Sequence, residues 1–250
     1  MLFRSRRAIG ALAELLPGAK SGKSGALARR IRRVLKEVNS EPAQQFLNLC
    51  ATTGYGDSSA IWSPAARYEL GNATPFDQCL RLLSANGPSF LDRCLQRDLT
   101  VYLPNHNLLY TDKMGMAASI ECRVPLLDQE IVETALGMPA DWKVNGAELK
   151  SILKKVAEPL LPNSIIYRKK AGFGSPYRQW LKNDLSEMWN DVMSETSIRN
   201  RGWFDPVALA AARKQSIQGI KDLYMLQWAV LVTELWAREF IDRNPALTAA

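Results

Sequence analysis

Apolar residues recur at three- and four-residue spacing through most of this 250-residue chain. The spacing is clearest at residues 9–16, 90–99 and 152–161, and a proline follows each stretch or lies near its end. Proline does not continue a helix, because it lacks an N–H group and clashes with the preceding turn. No stretch has the continuous apolar run of a buried parallel strand, so the pattern predicts a mainly α-helical chain.

The last apolar segment is the densest. Apolar side chains would occupy nearly all faces of a helix through residues 224–240. A helix that is apolar all round is buried, so we expect it to lie inside the core, with Trp228 and Trp236 as anchors. The apolar run at residues 223–236 is shorter than the roughly 20 residues that cross a bilayer, so we expect no membrane partner.

Two pairs of residues predict helix starts. Asp205 precedes Pro206, and Ser175 precedes Pro176. In both pairs the polar side chain can accept from free N–H groups of the first turn, and proline fits the first helical position. Loops are expected at residues 17–25, 51–59 and 72–75 and around Gly146.

The net charge of +7 is concentrated near the beginning of the chain. Residues 1–36 contain ten Lys or Arg and one acid, Glu14, whereas the remaining 22 basic and 24 acidic residues nearly balance. The run RRIRRVLKE at residues 29–37 could contact phosphates or could form a solvated or inter-domain helix face, but it lacks interleaved aromatics for base stacking. We expect a basic helical arm or linker at residues 1–40, a helical body at residues 41–250, and no specific nucleic-acid partner.

The cysteines and the histidine give no sign of a metal or disulfide framework. Cys50, Cys79, Cys94 and Cys122 lie far apart without a C-x-x-C pair, and His106 is the single histidine. Zinc sites and small disulfide-bonded folds need recurring, closely spaced ligands or cysteine pairs. We therefore predict no metal-ligating residue, and a reducing, cytoplasmic location.

Two longer motifs contain residues suited to chemistry. Residues 102–128 read YLPNHNLLYTDKMGMAASIECRVPLLD, and residues 167–176 read YRKKAGFGSP. The first resembles Y-L-P-D-x-L-L-x-K-x-D-R-x-S-M-A-x-S-L-E-x-R-V-P-F-L-D, and the second resembles R-x-K-x-G-F-x-x-P, both patterns of the asparagine synthetase family. Shorter matches are WSPAAR at residues 62–67, WFDPVALAAARK at 203–214 and the terminal segment at 223–240.

Four residues of the first motif depart from the family pattern. Asn105 replaces an aspartate, Tyr110 a lysine, Lys113 an arginine and Gly115 a serine or threonine. Lysine keeps the charge at position 113 but loses the planar fork with which arginine donates two parallel hydrogen bonds. In the family this stretch faces the active-site cleft, so we expect the changes to affect activity or the choice of substrate.

The resemblance implies roles for individual residues. Lys170 is the predicted catalytic residue, since a compact cation stabilises the charge that develops as pyrophosphate leaves. Gly172 lets the backbone approach the nucleotide closely. Asp112, Lys113 and Arg168 are expected to line the substrate or nucleotide cleft.

Glu121, Arg123 and Asp128 are the predicted structural supports of that cleft. We expect a helix over residues 114–121, followed by a buried, charge-assisted pair between Glu121 and Arg123. The packed face of this helix is expected to comprise Met116, Ala117 and Ile120.

The resemblance also implies a fold and a reaction. The fold would be the C-terminal helical part of an α/β ATP-pyrophosphatase-type (adenine nucleotide α-hydrolase-like) synthetase domain. ATP would adenylate the side-chain carboxylate of aspartate, pyrophosphate would leave with Mg²⁺, and ammonia from glutamine would give asparagine and AMP. The substrates implied are aspartate, ATP, and glutamine or ammonia, and the cofactors are ATP and Mg²⁺.

Two further family motifs do not occur in the sequence. These are the S-G-G-x-D-S pyrophosphate loop and the acidic G-x-G-x-D-E-x-F-x-G-Y motif. We therefore expect the chain to be part of a longer enzyme, to need the N-terminal synthetase and glutaminase portion, and to be inactive alone. The alternative is a non-catalytic helical binding or adaptor module derived from the same scaffold, whose basic arm contacts a partner chain or a polyanion.

Overall fold

The computed structural model of the protein describes residues 31, 34, 35 and 37 and the ranges 40–51, 53–86, 89–169 and 174–243. These residues are mainly helical, which confirms the prediction from the apolar spacing. The chain divides into a terminal unit, Met1–Pro75 with Gly174–Ala250, and a central unit, Phe76–Phe173. The predicted arm at residues 1–40 lies almost wholly outside the described residues, so the division at residue 40 stays a prediction.

The elements follow one another in this order. The terminal unit begins with α1 (Pro42–Cys50), α2 (Tyr55–Ser59) and α3 (Pro64–Leu70). The central unit contains α4 (Asp77–Ser84), α5 (Phe90–Arg97), a π-helix (Asp98–Leu108), α6 (Leu109–Ala117), a 3-10 turn (Pro125–Leu127), α7 (Gln129–Gly137), α8 (Ala140–Lys143), β1 (Val144–Asn145), β2 (Glu148–Leu149), α9 (Ser151–Ala157) and α10 (Asn163–Ile166). The terminal unit resumes with α11 (Tyr177–Lys182), α12 (Ser186–Val192), α13 (Glu195–Arg201), α14 (Pro206–Ile217) and α15 (Tyr224–Phe240).

Helices form where the apolar spacing predicts them, with shifted ends. The stretch at residues 90–99 forms α5 and continues directly into the π-helix, and the stretch at 152–161 forms α9, which ends two residues before Pro159. The stretch at residues 9–16 lies outside the described residues. The loop predicted at residues 51–59 is wrong in its second half, where α2 forms. A tight antiparallel hairpin, β1 with β2, turns at Gly146, whose φ of 58° suits glycine.

The terminal unit contains a well-defined apolar core between α11 and α15, to which Ile61 also contributes. Its most deeply buried apolar side chains are Ile61, Leu181, Ile198, Leu209, Val230 and Leu231. Fully burying one Leu, Ile or Val side chain stabilises a fold by about 1.5–3 kcal/mol, so this cluster is the main source of stability in the unit.

Helix α15 packs on this core with one face, so the prediction that it is buried all round is wrong. Leu226, Val230 and Ala237 are buried, whereas Trp236 and Phe240 are 50% and 59% exposed. An α-helix turns by about 100° per residue, which places the first three positions together and the last two on another side. The predicted role of Trp236 as a core anchor is therefore wrong as well.

Trp228 does pack against the core, with its ring centroid 5.9 Å from that of Trp180. The rings of Trp236 and Phe240 contact each other outside the core, with centroids 6.1 Å apart. The step of eight positions from Trp228 to Trp236 corresponds to two turns plus about 80°, so the two indoles do not share a face.

Two motif segments that are far apart in sequence pair in the terminal unit. Trp62 and Phe204 form an antiparallel bridge, the N–H of Ser63 donates to the carbonyl of Trp203 at 3.0 Å, and that of Asp205 donates to the carbonyl of Ile61 at 2.8 Å. The hydroxyl of Ser63 also donates to the Gly202 carbonyl at 2.5 Å and accepts from Ala66 N at 3.0 Å. One serine therefore caps α3 and fastens the start of α3 to the loop that leads into α14.

The two predicted helix starts have different outcomes. Asp205 caps α14 as predicted, with its carboxylate accepting from Ala208 N at 2.9 Å and proline in the first turn. Ser175 does not cap α11, because the capping position directly before the helix is Pro176. Proline has no side-chain group that could accept a hydrogen bond from the first turn. Ser175 then lies too far from the free N–H groups.

We expect Asp205→Ala to lower the free energy of unfolding by about 1 kcal/mol, since it removes the hydrogen bond that caps α14. Urea denaturation followed by circular dichroism measures the change. Asp205→Asn keeps a capping oxygen and is the matched control, which should remain close to the parent. Equal losses in the two variants would contradict capping as the role of Asp205.

The central unit buries little of its apolar surface. Its buried side chains among the described residues are Cys79, Leu83, Cys94 and Ser151. Exposed apolar side chains are found from the π-helix to the residue after α10: Tyr102, Leu109, Tyr110, Met114, Met116, Ile120, Val124, Leu126, Ile131, Leu136, Trp142, Leu149, Leu153, Val156, Leu160, Leu161, Ile165 and Tyr167. Exposed large apolar side chains in this number are unusual for a part of a protein that packs on itself alone.

None of the described helices combines the length and the apolar character that crossing a membrane requires.

Candidate functional site

The described residues of the predicted cleft all lie in the central unit. Asp112 and Lys113 are exposed on α6, and Arg168 is exposed just after α10. Lys170 and Gly172 lie outside the described residues, so their placement and roles stay predictions. The carboxylate and ammonium of neighbouring residues on α6 are thus open to solvent.

Helix α6 is shorter than the sequence predicts. It ends at Ala117, and Ser119 adopts a left-handed φ of 57° instead of continuing to residue 121. The carbonyl of Gly115 accepts from both Ala118 N and Ile120 N at 2.9 Å, which closes the turn. The predicted packed face is wrong, because Met116 and Ile120 are 57% and 60% exposed and Ala117 is exposed too.

Gly115 fits this turn because it has no side chain. A Cβ atom at this position would lie 2.7 Å from the Ile120 carbonyl oxygen and 3.0 Å from Cys122 Sγ. The first distance is shorter than any ordinary van der Waals contact, and the backbone cannot rotate away as a flexible side chain would. Glycine in place of the serine or threonine of the family pattern is therefore explained by this turn, which leaves no room for a side chain at position 115.

We expect Gly115→Ser to lower the free energy of unfolding by about 1–3 kcal/mol, the usual cost of a steric clash that forces a backbone shift. Gly137→Ser is the matched control, since a Cβ atom at the end of α7 would meet nothing within 4 Å. Denaturant titration of both variants tests the contrast. Equal stability of Gly115→Ser and the parent would show that the turn opens without cost.

The predicted pair between Glu121 and Arg123 forms but is not buried. Arg123 Nε lies 2.9 Å from Glu121 Oε1, while the Arg123 and Glu121 side chains are 83% and 66% exposed. The expectation of a buried pair is wrong because no other described element of the central unit covers this segment. An exposed pair of this kind contributes only about 0–1 kcal/mol.

Asp128 makes a short-range structural contact. Its carboxylate accepts from Glu130 N at 3.0 Å and caps α7. An acceptor at this position satisfies one of the free N–H groups of the first turn. The contribution of Asp128 to the shape of a substrate cleft stays a prediction.

Tyr167, just before Arg168, is held by a polar cluster that the sequence did not reveal. Its hydroxyl donates to Glu158 Oε1 at 2.5 Å, and Lys154 Nζ lies 5.3 Å from its ring centroid. The hydrogen bond to the Glu158 carboxylate raises the pKa of the Tyr167 phenol above its usual value. The pattern YRKK indicates cations, but no sequence signal pairs this tyrosine with α9.

The strongest charge cluster lies in the terminal unit and was also missed. Glu234 is 2% exposed on α15 and accepts from Arg201 Nε at 2.8 Å and from Arg238 Nε at 3.0 Å. Arg201 also donates to Asp242 Oδ2 at 2.6 Å. Glu234 lies in the terminal segment at residues 223–240 that resembles the family, so the acid was visible in the sequence, whereas its partners were not.

The cluster affects the acid stability of the terminal unit. The Arg201 guanidinium lowers the pKa of the Asp242 carboxyl below its usual range. A lowered folded-state pKa gives stability that is present above the unfolded-state pKa of about 3.9 and is lost as the pH falls through the folded-state value.

We therefore expect the stability difference between the parent and Asp242→Asn to shrink as the pH falls from about 5 to about 2, the window that brackets the shifted carboxyl. Urea titrations across this range measure it. Asp184→Asn, at an exposed aspartate of the same unit, is the control. A difference that stays constant with pH would contradict the pKa shift.

The main concavity found in the terminal unit is not lined by residues of the predicted cleft. A concavity of about 640 Å³ in the terminal unit is lined mainly by apolar residues of α12 to α14, including Trp189, Met193 and Leu209, and by none of the described cleft residues. In the part of the chain that the structure describes, no group of three or more His, Cys, Asp or Glu could hold a metal ion.

Comparison with known proteins places these observations in a family. The chain matches the family model described as asparagine synthase over residues 6–238. It is 37% identical over 99 residues to asparagine synthetase (glutamine-hydrolysing) 1 of Bacillus subtilis strain 168, an alignment that covers 40% of this chain and 16% of that protein. It is 30% identical over 148 residues to a putative asparagine synthetase (glutamine-hydrolysing) of Mycobacterium tuberculosis H37Rv, covering 59% of this chain and 22% of that protein.

A third relative is asparagine synthetase (glutamine-hydrolysing) 3 of Arabidopsis thaliana, 30% identical over 112 residues, with 42% of this chain and 19% of that protein aligned. The chain thus spans less than a quarter of the length of each of these three relatives. No solved structure matches the chain. The family match begins well before residue 62, where the motifs recognised in the sequence begin.

Proposed function

Because this chain belongs to the asparagine synthase family, we propose that it forms the C-terminal portion of the synthetase domain of an ATP-dependent amidotransferase. The complete enzyme converts aspartate, ATP, and glutamine or ammonia into asparagine, AMP and pyrophosphate. The domain would have the α/β ATP-pyrophosphatase-type fold, and this chain supplies its helical part. The remainder of the synthetase domain and the glutaminase portion come from upstream sequence.

The observation that carries this proposal is the exposure of the long family motif. Eight apolar side chains in residues 102–128 are between 43% and 66% exposed: Tyr102, Leu109, Tyr110, Met114, Met116, Ile120, Val124 and Leu126. The described residues of the central unit give these side chains little to pack against. The missing portion of the synthetase domain would cover them and would place Asp112 and Lys113 at the edge of a nucleotide cleft.

The chemistry assigned to the chain is charge stabilisation. In the first step a carboxylate oxygen of aspartate bonds to the α-phosphorus of ATP and the bond to pyrophosphate breaks, so negative charge grows on the departing oxygens. A lysine ammonium close to those oxygens stabilises the transition state more than the ground state. Lys170 is the residue of this chain that we assign to that role, with Arg168 and Gly172 shaping the approach. Ammonia then attacks the acyl carbon, and AMP leaves.

We assign the Mg²⁺ ligands to the upstream portion of the enzyme. Mg²⁺ prefers several oxygen ligands in near-octahedral geometry. The described residues offer no suitable acidic cluster, and the acidic family motif does not occur in the sequence. The described residues therefore do not fit a Mg²⁺ site, and we assign the chain no step that involves the ion. Its chemistry would come from residues upstream.

The test is to express the chain together with its upstream coding region and to measure pyrophosphate release that depends on both aspartate and ATP. We expect release from the longer protein and none from the 250-residue chain alone. Absence of release from a folded longer protein that contains an S-G-G-x-D-S loop would contradict the proposal. Release with other acids in place of aspartate would contradict the assigned acceptor and leave the amide-forming chemistry in place.

A further inference from the structure

Arg213 on α14 is held by neutral groups alone, as far as the structure describes the chain. Its Nη1 donates to Gln227 Oε1 at 3.3 Å, and its Nη2 donates to the Leu181 carbonyl at 3.2 Å and to Ser186 Oγ at 3.4 Å. Its Cζ atom also lies 4.7 Å from the ring centroid of Trp189. Contacts from α11, α12 and α15 therefore fix the guanidinium in one orientation.

The charge of this guanidinium is not balanced by a nearby acid. By contrast, Arg178 and Arg201 of the same unit pair with the carboxylates of Asp222 and Glu234. Burial lowers the pKa of the Arg213 guanidinium below its usual value, yet an arginine stays charged in proteins. A partly buried cation without a carboxylate has lost hydration that a bound anion would replace.

Arg213 also has donors to spare. A guanidinium carries five N–H groups, and three of them make the hydrogen bonds to Gln227, Leu181 and Ser186. The other two, on Nε and Nη1, have no acceptor among the described residues. They remain available to a ligand oxygen.

Arg213 lines the concavity of about 640 Å³ in the terminal unit. The apolar floor of this concavity includes Trp189, Met193 and Leu209, which are 4%, 9% and 3% exposed, whereas Val207 at its edge is 70% exposed. Small-molecule sites typically have volumes of about 300–1,000 Å³, with apolar walls and a few polar groups that fix the orientation of the ligand. The size and lining of the concavity match that description.

The charges around the concavity favour a ligand with a single negative charge. Glu195 also lines it, but this carboxylate pairs with Arg199 at 2.7 Å. Lys214 is exposed, so its ammonium is solvated and is not held in one place. Arg213 is thus the cation that the fold holds at this site, which is too little positive charge for a polyphosphate.

We propose that the concavity between α12 and α14 binds a small amphipathic monocarboxylate. Its apolar body would pack on Trp189, Met193 and Leu209, and its carboxylate would accept hydrogen bonds from Arg213. Because the guanidinium is already fixed, little conformational entropy is lost when the ligand binds. The inference goes beyond the proposed function and does not depend on it, since none of the lining residues belongs to the predicted cleft.

The test is isothermal titration calorimetry of the 250-residue chain with 3-phenylpropionate and with its neutral analogue 3-phenylpropionamide. We expect the carboxylate to bind at least about tenfold more tightly than the amide, because a hydrogen bond to a charged group is stronger than one between neutral groups. Arg213→Gln should weaken binding of the carboxylate roughly 10–100-fold and change binding of the amide less than about threefold. Lys214→Gln is the matched control and should stay within about threefold of the parent, since its ammonium is solvated.

A second pair of variants tests the charge without removing Arg213 from its network. Ala210 is exposed, lines the concavity and precedes Arg213 by three positions on α14. Side chains at this spacing are neighbours on a helix. Ala210→Glu therefore places a carboxylate beside the guanidinium, and Ala210→Gln places a neutral group of the same size there. The Glu variant should bind 3-phenylpropionate at least about fivefold more weakly than the Gln variant, and circular dichroism checks that both are folded.

Three results would overturn the inference: no binding of 3-phenylpropionate to the parent, equal binding of the acid and the amide, or equal affinities of the folded Ala210→Glu and Ala210→Gln variants. Binding should persist in the longer protein that contains the upstream portion. Binding that is lost there would show that upstream polypeptide covers the concavity, which would refute a ligand site in the enzyme. Absence of pyrophosphate release would contradict the proposed function and leave this inference in place.

Discussion

Glu234→Ala should lower the free energy of unfolding by about 3–5 kcal/mol, the typical loss when one partner of a buried ion pair is removed. The Glu234 carboxylate accepts hydrogen bonds from both Arg201 and Arg238, and the side chain of Arg201 is 14% exposed. Without Glu234 the Arg201 guanidinium loses two hydrogen bonds and keeps one acidic partner among the described residues, Asp242, whose side chain is 45% exposed. Urea denaturation at neutral pH, monitored by circular dichroism, measures the loss.

The control is Glu239→Ala on the same helix. Glu239 pairs with Arg243 at 2.6 Å, four residues on, but both side chains are more than half exposed. An exposed pair of this spacing is worth about 0.3–0.5 kcal/mol, so this variant should remain close to the parent. Similar stabilities of the two variants would mean that burial of Glu234 does not make its ion pairs important.

Lys170→Ala in the longer protein should lower kcat for pyrophosphate release by roughly 10²–10³-fold, the usual effect of removing one group that stabilises developing negative charge. KM for aspartate should change little, because the charge that Lys170 would stabilise appears as pyrophosphate leaves. Steady-state assays of pyrophosphate release, with ATP and aspartate varied separately, give both constants.

Lys169→Ala is the matched control for this variant. Lys169 is the neighbouring residue, is exposed, and occupies a variable position of the R-x-K-x-G-F-x-x-P pattern. It changes the net charge of the segment by the same amount, so a general electrostatic effect would slow both variants equally. Equal rates in the two variants would refute the specific role of Lys170, and an unimpaired Lys170→Ala would remove it from the catalytic step.

The two expected results concern different parts of the protein. Glu234 lies in the terminal unit, where a buried core and a charged cluster hold α13 and α15 together. Lys170 follows α10 in the sequence of the central unit, whose described apolar side chains are mostly exposed. Stability of this chain is therefore expected to depend mainly on the terminal unit, and activity on the residues of the central unit.

Local features were predictable where the signal lies within a few residues. The carboxylate of Asp205 caps α14 because the acceptor and the free N–H groups are three residues apart, and Pro206 fits the first turn. Ser175 fails in the same type of pair because the helix begins one residue later. The apolar spacing predicted where helices form. It did not predict where they end, because an end depends on single backbone angles such as the positive φ of Ser119.

Features that join distant residues were not predictable. The Glu121–Arg123 pair forms as expected from two neighbouring residues, but its exposure depends on what covers the segment, which spacing does not encode. The same is true of α15, whose apolar residues occur on several sides although the core contacts one of them. The sequence pattern therefore does not show which of the apolar sides of α15 is buried and which is exposed.

The sequence by itself determined the mainly helical class and the family, because apolar spacing and long motifs can be read within short segments, while the roles that it suggests for Lys170 and the cleft residues stay predictions. Only the tertiary structure decided that the segments around Ser63 and Asp205 pair with each other. It also decided that Glu234 accepts hydrogen bonds from two arginines and that Tyr167 donates one to Glu158. These contacts depend on how helices pack, and packing is fixed by the combined burial of many side chains rather than by any one segment.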